Sequence, residues 1–177
     1  MRIGIGALTC TYQPQITAAA QAAGIPPSLA LAVATQESGC NQNAVSPAGA
    51  TGIMQLMPAT AAGLNVDPHD VNQNIQGGVD LLAQLMKQFN GNVTDVLTAY
   101  NCGPGCVGKA NLPAETQNYI PSVQALQTQW DALLGTSDAS PGSTGSSENT
   151  ADTGVTDWTP LYLAGGLGLL ALFMLRS

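Results

Sequence analysis

The stretch GTSDASPGSTGSSENTADTGVTD, residues 135–157, sets the first limit on what this chain can fold into. It offers almost no apolar side chain to bury, so ordering it would cost conformational entropy with little hydrophobic return. It reads as a flexible linker. A packed core must therefore form before it, and residues 1–134 are enough for one domain of ordinary size. After the linker comes WTPLYLAGGLGLLALFMLRS, uncharged from Trp158 to Leu175. That run is near the lower limit for spanning a bilayer. Trp158 and Tyr162 suit one interface and Arg176 the other. Residues 158–175 are expected to form a transmembrane helix and to make a lipid membrane one partner. The alternative is an apolar tail packed on the protein itself, and a long polar linker would be odd in front of a core helix. Arg176 points to a cytoplasm-like side for the C-terminus, with the N-terminal domain across the membrane.

Residues 12–134 read as all-α. The chain is Ala-rich with 5% aromatics, and it shows no alternating strand pattern, internal repeat or glycine-rich phosphate loop. PQITAAAQAAG predicts a short helix ending at Gly24. PPSLALAVATQESG predicts a second, with proline at its start and Gly39 past its end. A long loop follows to about Gly52, and Pro58 opens a short helix through Ala62. HDVNQNIQGGVDLLAQLMKQF predicts a longer helix with Ile75, Val79, Leu82 and Met86 on one face. NVTDVLTAYN predicts another. PAETQNYIPSVQALQTQWDALLG predicts the last, kinked or split at Pro121.

Charge is sparse and uneven. Charged residues make up 8% of the chain and the net charge is −7, so little is present to neutralise phosphates and no nucleic-acid partner is expected. Between Arg2 and Asp67, Glu37 is the sole ionisable Asp, Glu, Lys, Arg or His. Leu29, Val33 and Glu37 are spaced i, i+4, i+8, which puts the acid on the apolar stripe of its helix and in the last turn. Burial and the negative helix end both disfavour its anion, and no cation is near in sequence. A carboxyl held protonated near neutral pH is what a general acid needs. The bland alternative is a helix-terminal Glu reaching solvent.

Cys10, Cys40, Cys102 and Cys106 make an even set in a domain that faces away from the cytoplasm. Disulfides are the default there, with three possible pairings. Structural zinc is the rival: the CGPGC pair has plausible spacing, but Cys10 and Cys40 lack a CxxC partner. Reduced thiols are the third option if the chain stays cytosolic. If the segments after Glu37 and after Asn101 meet, a bridge from Cys40 to Cys102 or Cys106 would join them around a cleft.

Three blocks carry a specific resemblance. The first is Glu37-Ser38 followed by SPAGATGIMQLMP, with GIMQ at Gly52–Gln55. The second runs through Asp67, Pro68, Asn74, Ile75, Gly77, Leu81 and Leu82. The third is AYN at Ala99–Asn101, followed by ETQNYI from Glu115 to Ile120. In order and spacing these resemble the soluble lytic transglycosylase family, lysozyme-like enzymes that cut bacterial peptidoglycan. The resemblance covers about residues 12–125, not the linker or tail, and implies a mainly helical lysozyme-like domain. It implies Glu37 as the single catalytic acid/base. It implies Ser46 and Gln55 as cleft residues near the scissile sugar, Met54 as a cleft-lining methionine and Tyr100 as the tyrosine close to the acid. Asn101 would shape the cleft floor, and Glu115 and Tyr119 would stand in a second sugar-contacting stretch. Met54 and Tyr119 are also open to a plain packing role. The resemblance implies no metal and no cofactor.

A glycosidase normally flanks the bond with two carboxylates. The best-matched block supplies one, with Asp67 in what reads as a structural turn. The resemblance therefore implies that the substrate supplies the nucleophile. Glu37 would protonate the oxygen between N-acetylmuramic acid and N-acetylglucosamine, then accept a proton as the sugar's own C6 hydroxyl attacks C1. The product is a 1,6-anhydromuramoyl end. The alternatives are a lysozyme-type hydrolase using a second acid and a water, or a non-catalytic glycan-binding protein. The intact Glu37 and complete GIMQ and AYN blocks speak against the last. The N-terminus MRIGIGALTCTYQPQ is not a good signal peptide and has no convincing lipobox before Cys10. Tail insertion or packaging in a particle is the expected route to the wall. The expected location is thus a virion membrane or the bacterial cell envelope. Partners would be peptidoglycan strands and other virion or envelope-complex proteins.

Overall fold

The computed structural model describes residues 8–136. The expected transmembrane helix and all but the first two linker residues lie outside the described residues. Among the described residues no helix is long and apolar enough to cross a membrane.

Among the described residues six α-helices carry the fold: α1 (Gln13–Ala22), α2 (Pro27–Ser38), α3 (Pro58–Leu64), α4 (Val71–Gln88), α5 (Val93–Cys102) and α6 (Ala114–Thr136), with a short 3-10 turn at Pro104–Cys106. The described residues contain no β-strand beyond the isolated bridges Val45–Thr51 and Thr51–Leu56. Local chemistry explains the ends. Proline occupies the first turn of α1, α2 and α3, where its missing N–H costs nothing and its φ suits a helix. Asp70 caps α4 by accepting the Gln73 N–H at 2.9 Å, and Asn92 caps α5 through the Thr94 N–H at 3.1 Å. α2 ends at Gly39 in the left-handed region, φ 62°. There the Gly39 and Cys40 N–H groups return to Thr35 and Ala34 carbonyls at 2.9 and 3.2 Å.

The helix bearing Glu37 is buried beyond a single apolar stripe: every residue of α2 from Leu29 to Ala34 is 0% exposed. A helix apolar all round belongs in a core. α2 packs on α6 and α1, while α4 packs on α1 and α5. The seam of α2 with α6 is locked by Trp130, whose indole N–H donates to Thr35 Oγ1 at 3.1 Å while the Thr35 hydroxyl donates to the Leu31 carbonyl at 2.7 Å.

Three expectations are corrected. Of the kink or split expected at Pro121, the split is absent: α6 is one helix that runs on to Thr136. Tyr119, Ile120, Val123 and Trp130 are all buried. Packing on both sides of the proline therefore outweighs the roughly 3 kcal/mol that an interior proline costs. The loop after α2 extends to Met57 rather than Gly52. The disulfides join Cys10 to Cys40 and Cys102 to Cys106, not Cys40 to the Cys102–Cys106 segment. The end of α2 meets the N-terminal segment, with Cα atoms 5.5 Å apart, and Cys102 finds its partner one turn on. With every cysteine in a disulfide, no thiolate remains for zinc.

Candidate active site

Glu37 occupies the last turn of α2, where the buried helix emerges from the core. The next residue ties this end to the following loop: Ser38 Oγ donates to the Ile53 carbonyl at 2.8 Å. The loop has two isolated bridges and no helix or strand of its own, so side-chain amides satisfy backbone groups that its turns leave over. Gln42 Oε1 accepts the Ile53 N–H at 3.1 Å. Its Nε2 donates to the Pro68 and His69 carbonyls, both at 3.1 Å. Asn74 on α4 is 0% exposed. Its Oδ1 accepts the Met54 N–H at 2.8 Å, and its Nδ2 donates to the Thr51 and Pro68 carbonyls at 2.8 and 3.0 Å. Gly52 lies against this amide at φ +83°, where any Cβ would strike Asn74. Gln55, at φ 48°, donates from Nε2 to the Gly52 and Ala44 carbonyls at 2.8 and 3.1 Å.

The loop and three helices enclose a cleft of about 400 Å³ with Glu37 in its wall. Ser46 and Gln55 come from the loop, Asn101 from α5, and Glu115 and Tyr119 from α6. These five expected site residues thus come together. Gln36, Asn118 and Ser122 also line the cleft and were not singled out in the sequence. Asn101 is held by the Thr116 hydroxyl, which donates to its Oδ1 at 2.7 Å.

Two expected residues are placed differently. Met54 does not line the cleft: it is 0% exposed and packs on Gly78, where a Cβ would come within 2.5 Å of the methionine's own. Tyr100 is near enough to the acid to feel its charge, as expected, but it does not line the cleft. Its hydroxyl donates to the Met54 carbonyl at 2.9 Å and so braces the loop. The phenol that meets the acid is Tyr119, whose hydroxyl donates to Glu37 Oε1 at 2.6 Å. The available signal was Glu115-x-x-x-Tyr119, an i, i+4 pair that puts both side chains on one face of α6.

The surroundings raise the Glu37 pKa from the ordinary 4.5 to about 7. Burial is the largest cause, the Tyr119 hydrogen bond opposes it by favouring the anion, and the negative charge of Glu115 adds to the rise. The Tyr119 phenol is pushed well above its usual pKa, by burial first and then by the charge of Glu37. Tyr100 is raised for the same two reasons. Both therefore remain hydrogen-bond donors at any physiological pH. A carboxyl poised near 7 can release a proton and take one back.

The Transglycosylase SLT domain profile matches residues 14–122, from the second residue of α1 into α6. The chain belongs to the SLT transglycosylase family. Among relatives of this SLT chain, the transglycosylase of Enterobacteria phage PRD1 is 40% identical over 105 residues, which is 59% of this chain and 38% of the phage protein. The soluble lytic murein transglycosylase of Escherichia coli K12 is 33% identical over 141 residues, covering 63% of this chain and 21% of that enzyme. The crystal structure of the 70 kDa soluble lytic transglycosylase of Escherichia coli superposes with a TM-score of 0.64 at 29% identity, over 70% of this chain and 24% of that one. The complex of the 70 kDa soluble lytic transglycosylase with bulgecin A gives 0.65 at 28% identity, over 72% and 25%. The chain thus spans well under half the length of these relatives. The shared part is a lysozyme-like SLT domain.

Proposed function

We propose that this SLT domain cleaves the β-1,4 bond between N-acetylmuramic acid and N-acetylglucosamine in peptidoglycan, leaving 1,6-anhydromuramoyl ends. Glu37 acts as general acid and then general base. The observation that carries this reading is a carboxyl with its pKa near 7 in the wall of a cleft lined otherwise by amides, hydroxyls and one further carboxylate. With Tyr119 holding Oε1, Oε2 is left to carry the transferable proton. Glu37 protonates the glycosidic oxygen as the bond to C1 breaks, and the sugar N-acetyl group supports the positive charge. The new carboxylate is stabilised by the Tyr119 hydroxyl. It then removes the proton from the C6 hydroxyl as that oxygen bonds to C1, which restores neutral Glu37 without consuming water. Ser46, Gln55, Asn101 and Glu115 hold the sugars. No metal or cofactor enters these steps.

Glu115 supports a second reading. It is another carboxylate in the same cleft, so it could position a water and give lysozyme-type hydrolysis. Mass spectrometry of muropeptides released by the chain separates the two: anhydro ends support transglycosylation, reducing ends support hydrolysis. Loss of both products in Glu37→Gln supports its role, and unchanged lysis by that variant overturns it.

We further propose that residues 158–175 tether the domain to a membrane, through the linker 135–157, so that cutting stays local. The support is the uncharged run from Trp158 to Leu175 and the occurrence of a phage protein among the relatives. Recovery of the chain in the membrane of purified particles or of cell envelopes tests it, and recovery in the soluble fraction refutes it.

A further inference from the structure

The charges in and around the cleft point to a substrate preference, which rests on the glycan-cleaving reading above. Glu37 and Glu115 are both carboxylates, and every other lining residue is a neutral amide, hydroxyl or phenol. The residues from 8 to 136 hold two cations of the Lys or Arg type, Lys87 and Lys109. Both are exposed and neither lines the cleft. Glu115 is exposed and lines the cleft, so its charge acts through solvent on substituents that a bound strand carries within about a Debye length. Every second sugar of peptidoglycan carries, through a lactyl ether, a short peptide whose carboxylates are either free or amidated. Free carboxylates find no cation here and face like charge, which is screened only by salt. Amidated stems, or glycan bare of peptide, present nothing to repel and can hydrogen-bond to the amides.

We infer that this cleft selects glycan strands whose peptide stems are amidated or absent over strands bearing free stem carboxylates, with Glu115 as the specificity-determining residue. The preference is electrostatic rather than steric. It is therefore expected to be roughly two- to five-fold per stem carboxylate at low ionic strength and to fade toward one in salt.

The test uses the full chain carrying Glu37→Gln, so that bound glycan is not cut and Glu115 is the one cleft carboxylate left. Two glycan fragments of equal length, one with free and one with amidated stem carboxylates, are titrated by calorimetry at about 10 and about 300 mM salt. Tighter binding of the amidated fragment at low salt, shrinking at high salt and abolished by adding Glu115→Gln, supports the inference. Reversal of the preference by Glu115→Lys, still salt-dependent, supports it further. Equal affinities at low salt, or a preference that survives both salt and Glu115→Gln, overturns it. Failure of the parent chain to cut either fragment, with the charge preference intact, sinks the proposed cleavage and not this inference.

Discussion

Replacing Glu37 with Gln should make the protein more stable, and increasingly so as pH rises. The variant keeps the shape of the side chain and an acceptor for Tyr119, and removes the titration. In the wild type the native pKa is about 7, against an ordinary 4.5. Below the ordinary value both folded and unfolded chains hold the proton, and the acid adds no pH dependence. Between these two values the unfolded chain ionises while the folded chain does not, so stability falls as pH rises. Above the native value both forms are ionised and the full penalty is present. The difference of the two pKa values corresponds to a ceiling of about 3 kcal/mol. Urea unfolding of both proteins from pH 4 to pH 8, compared at each pH, cancels the titration of groups that do not interact with Glu37. The stability gain of the variant should be near zero at the acid end and approach the ceiling at the alkaline end. A constant difference across that range would refute the argument that burial holds this carboxyl neutral. The same variant should lack wall lysis, so greater stability and lost activity would be read on one sample.

Tyr119→Phe removes the donor that favours the Glu37 anion, so its pKa should climb above about 7. A hydrogen bond to a charged group contributes about 1.5–3 kcal/mol, or roughly one to two pH units. The alkaline limb of the pH–rate profile should move up by that amount while the rate on the plateau falls. Asn74→Ala leaves the Met54 N–H and the Thr51 and Pro68 carbonyls without partners in the core. It should cost roughly 3–5 kcal/mol by urea unfolding. Gly78→Ala drives a methyl against Met54 and should destabilise by about 1–3 kcal/mol. Gly63→Ala, with nothing within 4 Å, should stabilise α3 by roughly 0.5–1 kcal/mol.

The helices were legible because their ends are marked by backbone chemistry that acts locally: proline in the first turn of α2 and α3, glycine past the end of α2. Glu37 was legible for a related reason, since isolation from other charges is a property of the sequence itself. The partner of Glu37 was not. Tyr100 and Tyr119 are both phenols in matching blocks, and only packing of α6 on α2 decides that Tyr119 reaches across 82 positions to the acid. The cysteine pairing was hidden too, because spacing does not reveal which end of α2 the N-terminal segment meets. Pro121 misled through propensity: a breaker in isolation is carried through when buried residues flank it. The supports of the loop, Gln42 and Asn74, left no signal beyond being polar residues in a motif.

From Ser38 to Val66 no side chain changes charge between mildly acid and mildly alkaline solution, because the cysteine there is bridged and the rest are neutral. The amides of Gln42, Gln55 and Asn74 fasten this part of the cleft with bonds that have no protonation state to lose. Acidification or alkalinisation can therefore switch the carboxyl beside it without loosening this wall of the cleft.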